Sequence, residues 1–280
     1  MAWEVVLPVL LGAALHAAWN ALVRASADRL LETLLVLTGA GAVTAIAAWF
    51  LPLPAPACWP HLGASVVVHV GYFTLVALAY RKGDLSLVYP IMRGSAPALT
   101  ALAAVALLSE RPSGWAWAGI VSISGGVLLL VLDSRGRDGL SAASIGFALA
   151  NAAVVVLYTV IDGVGARRSG HPFSYTAWML LLTAGLSLWL ALIARRRQVV
   201  RHLARRWHFG LAGGGCTFAS YALALWAMTH APIALVAALR ETSIVFGTLF
   251  AALALKEPIS PLRYASIAAI AAGAVSLKLS

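Results

Sequence analysis

Apolar positions in this chain come in long unbroken stretches, not in the alternations or narrow stripes of a soluble fold. Segments of about 20 residues, the length that spans a hydrocarbon core of roughly 30 Å, fall near 3–23, 31–51, 62–80, 85–108, 114–132, 142–161, 172–194, 208–229, 233–255 and 260–279. The pattern predicts ten transmembrane helices and an all-α integral membrane fold. Turn-forming residues separate the stretches: Pro52, Pro54, Pro56 and Pro60 after the second, Gly83 and Asp84 before the fourth, Pro232 before the ninth. The first stretch carries Glu4 where a signal peptide has basic residues, and no small-residue cleavage site follows it, so it is expected to stay as the first helix.

The polar segment Arg135–Asp138 divides the chain into 1–134 and 135–280, each with five predicted spans, together forming one compact membrane domain. The halves repeat. Sliding Ala77–Val131 onto Ala224–Lys278, an offset of 147 residues, superposes identical residues at Ala77, Leu78, Arg93, Leu102, Ala104, Leu108, Glu110, Ile123, Gly126 and Leu130. Because five is odd, the second half must enter the bilayer from the opposite face. The expected fold is therefore two inverted-topology five-helix repeats, an organisation that secondary transporters use.

The repeat carries Arg93 and Arg240 inside apolar stretches. An arginine near the bilayer centre costs roughly 2.5–3.5 kcal/mol on insertion scales, so a duplicated one points to use, and holding an anion is the use that fits a guanidinium. At 1.5 Å per residue each lies roughly 12–14 Å from opposite membrane surfaces, close to the midplane. Other polar groups form stripes at helical spacing: His16 and Asn20 with Trp19 beside them, His69 with Tyr72, Tyr89 with Arg93, Asn151 with Tyr158 and Asp162, and Arg240 with Ser243. Hydrogen bonding between helices accounts for Asn20, Asn151 and His69 as well as lining a cavity does. Glu241 is read as the one acid at membrane depth away from helix ends, either a coupling carboxylate or, preferably, the ion-pair partner of Arg93; Asp162 and Arg24 are alternatives nearer the surface. Glu110 and Glu257 close spans four and nine, where pairing with Arg111 or Lys256 and the loop backbone is weighed against a gate. Ala118, Ser122 and Gly126 and their repeats Ala265, Ala269 and Gly273 make small-residue faces for close helix packing.

Composition agrees with the spans: 61% of residues are hydrophobic and 11% charged, with a mean hydropathy of +0.89. The net charge of +10 belongs to membrane-flanking loops and to the Arg195–Arg206 cluster, where lipid headgroups and not nucleic acid are the expected partners. Fourteen Lys and Arg follow spans 1, 3, 5, 7 and 9 and four lie on the other side; the bias places both termini outside the cytoplasm. Cys58 and Cys216 give neither a disulfide framework nor metal-ligand spacing. No catalytic motif or phosphate-binding loop is present, the Gly213–Gly215 run lacking a P-loop lysine, so neither catalysis nor a cofactor is expected.

Spans that end Leu-Leu-Ser-Glu-Arg-Pro (107–112) and Leu-Lys-Glu-Pro (255–258), in a chain of two five-span halves, resemble the drug/metabolite transporter superfamily and its EamA-type permeases. His16–Asn20, Tyr89–Gly94 and Leu239–Thr242 are similar to one subgroup of those permeases, some of which are encoded beside phosphonate-utilisation genes. The resemblance implies a multi-pass permease, of a bacterial inner membrane, with cytoplasmic termini, opposite to the charge bias. The expected function is secondary active transport of a small organic metabolite with an anionic or zwitterionic group, by alternating access around a midplane site. Substrate contacts are expected from Trp19, Asn20, His16, His69, Tyr72, Tyr89, Arg93, Asn151, Tyr158 and Arg240. A proton is a candidate coupling ion, and the protein is expected as a monomer or weak dimer. The alternatives are a membrane-embedded enzyme or flippase acting on an anionic lipid-linked headgroup, an exporter of amphipathic drugs or aromatic compounds, and a helical scaffold for a partner.

Overall fold

Every regular element among the described residues is helical. The computed structural model describes residues 1–82, 85–133, 142–255 and 260–280, with backbone alone for 73–82, 85–89, 133, 142–144, 251, 254 and 255. The helices are α1 (Trp3–Arg24), α2 (Arg29–Ala47), α3 (Trp59–Lys82), α4 (Leu85–Leu108), α5 (Gly114–Asp133), α6 (Ala142–Arg168), α7 (Pro172–His230), α8 (Ile233–Arg240), α9 (Ser243–Leu255) and α10 (Pro261–Leu279). Short polar caps start several of them. The Asp28 carboxylate accepts the Leu30 and Leu31 amides at 3.1 and 3.0 Å, and Ser260 accepts the Arg263 amide at 3.2 Å with Pro261 in the first turn. At the other end of α4, Ser109 adopts φ 56° and turns the chain sharply.

Among the described residues, eight helical stretches are long and apolar enough to cross a membrane. The protein is thus a multi-pass membrane protein. Predicted spans seven and eight, 172–194 and 208–229, lie on either side of breaks in helical geometry at Arg195 and Arg206, inside the stretch α7. The boundaries differ from the expected spans in one place. Predicted span nine is divided into α8 and α9 at Glu241 and Thr242, where the amides of 241, 242, 244 and 245 all bond three residues back at 2.9–3.1 Å and the helix tightens into a 3₁₀ turn.

Non-helical backbone angles at Arg195 and Arg206 kink α7. A straight helix would separate Ala184 from Gly210 by about 39 Å, yet Ala184 faces Gly41 and Gly210 faces Gly39, two residues apart on α2. The two limbs of α7 therefore double back, with α2 against both. The turn is tied to α2 by Glu32, fully buried, whose carboxylate meets His202 and Arg206 at 3.0 Å each. On the far limb Gly214 lets its backbone meet the α2 backbone at Gly39 and Ala40, an approach any side chain would block.

α5 and α10 form a second close seam. Ser122 donates to the Ala269 carbonyl at 2.8 Å, Ser266 to the Gly126 carbonyl at 2.6 Å and Ser276 to the Trp115 carbonyl at 2.8 Å. The N-terminal ammonium donates to the Lys278 carbonyl at 2.8 Å, and the Lys278 ammonium lies 5.0 Å from the Trp3 ring. Both termini are therefore at one end of the bundle, and the number of crossings is even. Large apolar side chains such as Leu7, Leu11, Ile46, Val121, Leu253 and Val275 cover the outside, as a lipid-facing surface requires. The interior core is built from α1, α3, α4, α5, α6, α7, α8 and α10.

Candidate functional site

Three helices converge on a small polar cavity in the middle of the bundle. Arg93, Ala96, Pro97 and Thr100 come from α4, Val155, Tyr158 and Thr159 from α6, and Ala237, Arg240 and Glu241 from α8 and its last turn. The space among them, about 10 Å³ for water centres, admits about one water molecule. Pro90 and Pro97 lie inside α4 and remove amide donors about one turn before and one turn after Arg93, while the 3₁₀ turn at 241–245 sits opposite. Irregular helix at membrane depth belongs where it lines a cavity or is covered by protein.

The two arginines have different surroundings. Arg93 is 7% exposed; its Nε meets the Glu241 carboxylate at 2.9 Å and its terminal nitrogen donates to the Ser243 hydroxyl at 3.2 Å. Two buried opposite charges in such contact form a compensated pair. Arg240 lies with its guanidinium carbon 5.1 Å from the Tyr221 ring centroid, a cation–π arrangement. Among the described residues no carboxylate lies within 4.0 Å of it. The repeated arginine is thus neutralised in one half and exposes its charge to the cavity in the other.

Behind Tyr158 is a cluster of rings. His69 packs on Tyr158 with centroids 4.5 Å apart, Tyr72 meets Tyr158 at 5.8 Å, and Tyr221 approaches His69 edge-on at 6.0 Å. Asp162, one turn beyond Tyr158 on α6, is fully buried. Tyr175 donates to its Oδ1 at 2.9 Å, Tyr221 donates to Oδ2, and His69 Nε2 faces Oδ2 at 4.0 Å. Asp162 lies about 9 Å inside the end of α6, so Glu241 is not the lone interior acid that the sequence suggested.

The cavity thus gathers Arg93, Tyr158, Arg240 and Glu241, with His69 and Tyr72 stacked against its wall. Other expected contacts do not line this space. The Asn20 side chain donates to the His16 carbonyl at 2.8 Å and Asn151 to the Phe147 carbonyl at 2.9 Å, each to its own helix. His16 packs edge to face on Trp19 at 5.1 Å and lies within electrostatic reach of Arg93 and Arg240, although no residue of α1 lines the cavity. The Tyr89 side chain and Glu257 fall outside the described residues. Glu110 does not take Arg111 as its partner: it accepts from Arg167 at 3.2 Å and from the Ile233 and Ala234 amides at 2.8 and 3.2 Å. A carboxylate at the C-terminal end of α4, unfavourable there, becomes favourable at the N-terminal end of α8. Arg167 also donates to the Met228 and Ala231 carbonyls at 2.8 and 3.0 Å, so one contact joins α4, α6 and the α7–α8 turn. Tyr175, Tyr221, Thr100 and Thr159 were not singled out by the sequence. None of them belongs to a repeated motif, and Tyr175, Thr159 and Tyr221 have other hydroxyl residues as direct neighbours, so sequence alone does not set them apart.

Residues 142–278, the second half of the chain, match the EamA-like transporter family. Comparison with curated proteins gives no match. Solved structures do match: one, titled "Crystal structure of protein", superposes over 97% of this chain and 98% of its own with a TM-score of 0.76 and 23% identity. At that identity the likeness establishes the fold.

Proposed function

We propose that this chain, whose residues 142–278 belong to the EamA-like transporter family of the drug/metabolite transporter superfamily, is a secondary transporter of a small organic anion or zwitterion. The family accounts for transport; the choice of cargo rests on Arg240. A guanidinium on the cavity wall, with an aromatic ring behind it and no carboxylate in contact among the described residues, offers its donors to a carboxylate, phosphonate or similar group. Arg93 and Glu241, already paired, shape the opposite wall. Tyr158 and Thr159 supply the remaining polar contacts.

The fold supports alternating access between two inverted five-helix repeats. Counting α3 as a span and α7 as two gives ten crossings, an even number, as the joined termini require. Contacts repeat under the 147-residue offset: Ser122 touches its own equivalent Ala269, and the pair Gly119–Gly273 corresponds to the pair Ser266–Gly126. Self-equivalent contact is what a two-fold axis passing between α5 and α10 produces. The ring cluster of His69, Tyr72, Tyr158 and Tyr221 favours a second reading, in which the cargo is an aromatic compound stacked on those rings.

Both readings are tested by one screen. Purified protein is challenged with carboxylates, phosphonates, amino acids, uncharged aromatic compounds and hydrophobic cations in a thermal-shift assay, and ligands found are then followed into proteoliposomes. Arg240→Lys and Arg240→Gln are expected to fold and to lose anion-induced stabilisation and uptake. Uptake of an anion by Arg240→Gln at the wild-type rate, or stabilisation by hydrophobic cations alone, sinks the anion site.

A further inference from the structure

We propose that His69 and Asp162 form a proton-binding site beside the cavity, and that it is charge-coupled to the anion site at Arg240. The coupling rests on the transport reading above; the proton site itself does not. Asp162 accepts hydroxyl protons on both oxygens, from Tyr175 and Tyr221, which is the pattern of an ionised carboxylate. His69 Nδ1 lies 3.0 Å from the Ser65 carbonyl. The Ser65 hydroxyl lies 3.1 Å from the same nitrogen, so Nδ1 meets both an acceptor and a donor and either neutral tautomer fits. Nε2 faces Asp162 Oδ2 at 4.0 Å, too long for a hydrogen bond. A proton added to the ring nitrogen that carries the lone pair forms one N–H bond and breaks none in the protein. In the imidazolium both nitrogens donate, Nδ1 towards the Ser65 carbonyl and Nε2 towards the carboxylate, and the 4.0 Å gap is the distance over which the ring can close onto it.

The neighbourhood explains why such a proton would follow an anion. Asp162 and His69 are faced by Tyr158 on α6, Tyr72 on α3 and Tyr175 and Tyr221 on α7, with Cys58 beside Tyr175, with Arg93, Arg240 and Glu241 across the cavity wall, and with His16 of α1 near the two arginines. With Arg93 matched by Glu241, the unloaded site balances Arg240 against Asp162. An anion on Arg240 brings one negative charge in excess into a low-dielectric interior, and a proton on His69 restores neutrality. Two side chains connect the positions physically. Tyr221 holds Asp162 by its hydroxyl and Arg240 by its ring, and Tyr158 packs on His69 while walling the cavity.

The test follows the ring nitrogens of ¹⁵N-histidine-labelled full-length protein by NMR from pH 9 to pH 5, with His69 assigned by its loss in His69→Gln. In the wild type His69 is expected as a neutral ring with one protonated nitrogen at high pH and as a doubly protonated ring after acidification. Asp162→Asn is expected to weaken binding of the second proton at least tenfold. Should that variant fail to fold, Tyr221→Phe removes one donor from the carboxylate and is expected to tighten proton binding several-fold. A ring that never gains a second proton, or the wild-type titration in the folded variant, overturns the proposal. The titration uses no anion, so a protein that fails the anion screen yet titrates as expected loses the transport reading and keeps the proton site.

Discussion

Ser122 donates a hydrogen bond to the carbonyl of Ala269 at 2.8 Å, and the two residues are 147 positions apart, the offset at which the sequence repeats. The seam around them is tight on both sides: a side chain at Gly273 would start 2.8 Å from the Gly119 carbonyl and 2.6 Å from Ile123, whereas one at Gly125 would meet nothing. Gly273→Val is expected to destabilise by about 1–3 kcal/mol, the usual range for overpacking, and Gly125→Val by much less. Thermal melts in one detergent, read by size-exclusion recovery, compare them. Equal midpoints for the two variants would mean that α5 and α10 are free to part.

Arg93 and Glu241 differ from Arg240 in being a closed pair, and single and double substitutions separate the two cases. Removing either member leaves a buried charge alone, which costs about 3–5 kcal/mol. Arg93→Gln and Glu241→Gln should each lower the melting temperature markedly, and the double variant should recover much of the loss. Arg240→Gln breaks no ion pair among the described residues and should melt within a few degrees of wild type. A double variant no better than the worse single one would argue that Arg93 is held by something other than Glu241.

Parts of this arrangement could be seen in the sequence because they leave a local mark. Ten apolar stretches, the repeated arginine and Glu241 beside it each stand out against an apolar background. The Asp162 network does not, because its members come from α3, α6 and two limbs of α7, and only packing sets them side by side. Tyr221 illustrates the loss: it is one of several hydroxyl residues in its span, with Ser220 and Thr217 nearby, and nothing in the sequence singles it out, yet it touches both Asp162 and Arg240. Likewise the tight turn at Glu241–Thr242 has no Gly or Pro to announce it.

Glu110 accepts from Arg167 and from two amides at the start of α8, and its side chain is only 9% exposed. Glu110→Ala therefore leaves a helix N-terminus without its carboxylate and frees Arg167. A cap of this kind is worth about 0.5–2 kcal/mol, with more from the charged donor. Arg167→Ala removes the donor while the amides keep theirs, so Glu110→Ala is expected to be the more destabilising of the two in the same melts. The reverse order would mean that the bonds from Arg167 to the Met228 and Ala231 carbonyls dominate the contact.

Orientation is tested at the kink of α7, where Arg195, Arg196, Arg197, Arg201 and Arg205 are exposed. Basic residues are retained on the cytoplasmic side because the bias acts on short loops near span ends. Fourteen Lys and Arg share the side of this segment against four on the other. A cysteine at position 196 or 201, in a Cys216→Ala background with Cys58 buried, should therefore resist a membrane-impermeant maleimide in intact cells and react after permeabilisation. A tag after Ser280 should behave in the opposite way, since the termini lie together at one end of the bundle and spans one and seven, both odd, lead to the other. Labelling of position 196 or 201 from outside would place the termini in the cytoplasm, as the family resemblance implies, and the arginines would then need anionic headgroups of the outer leaflet as their partners.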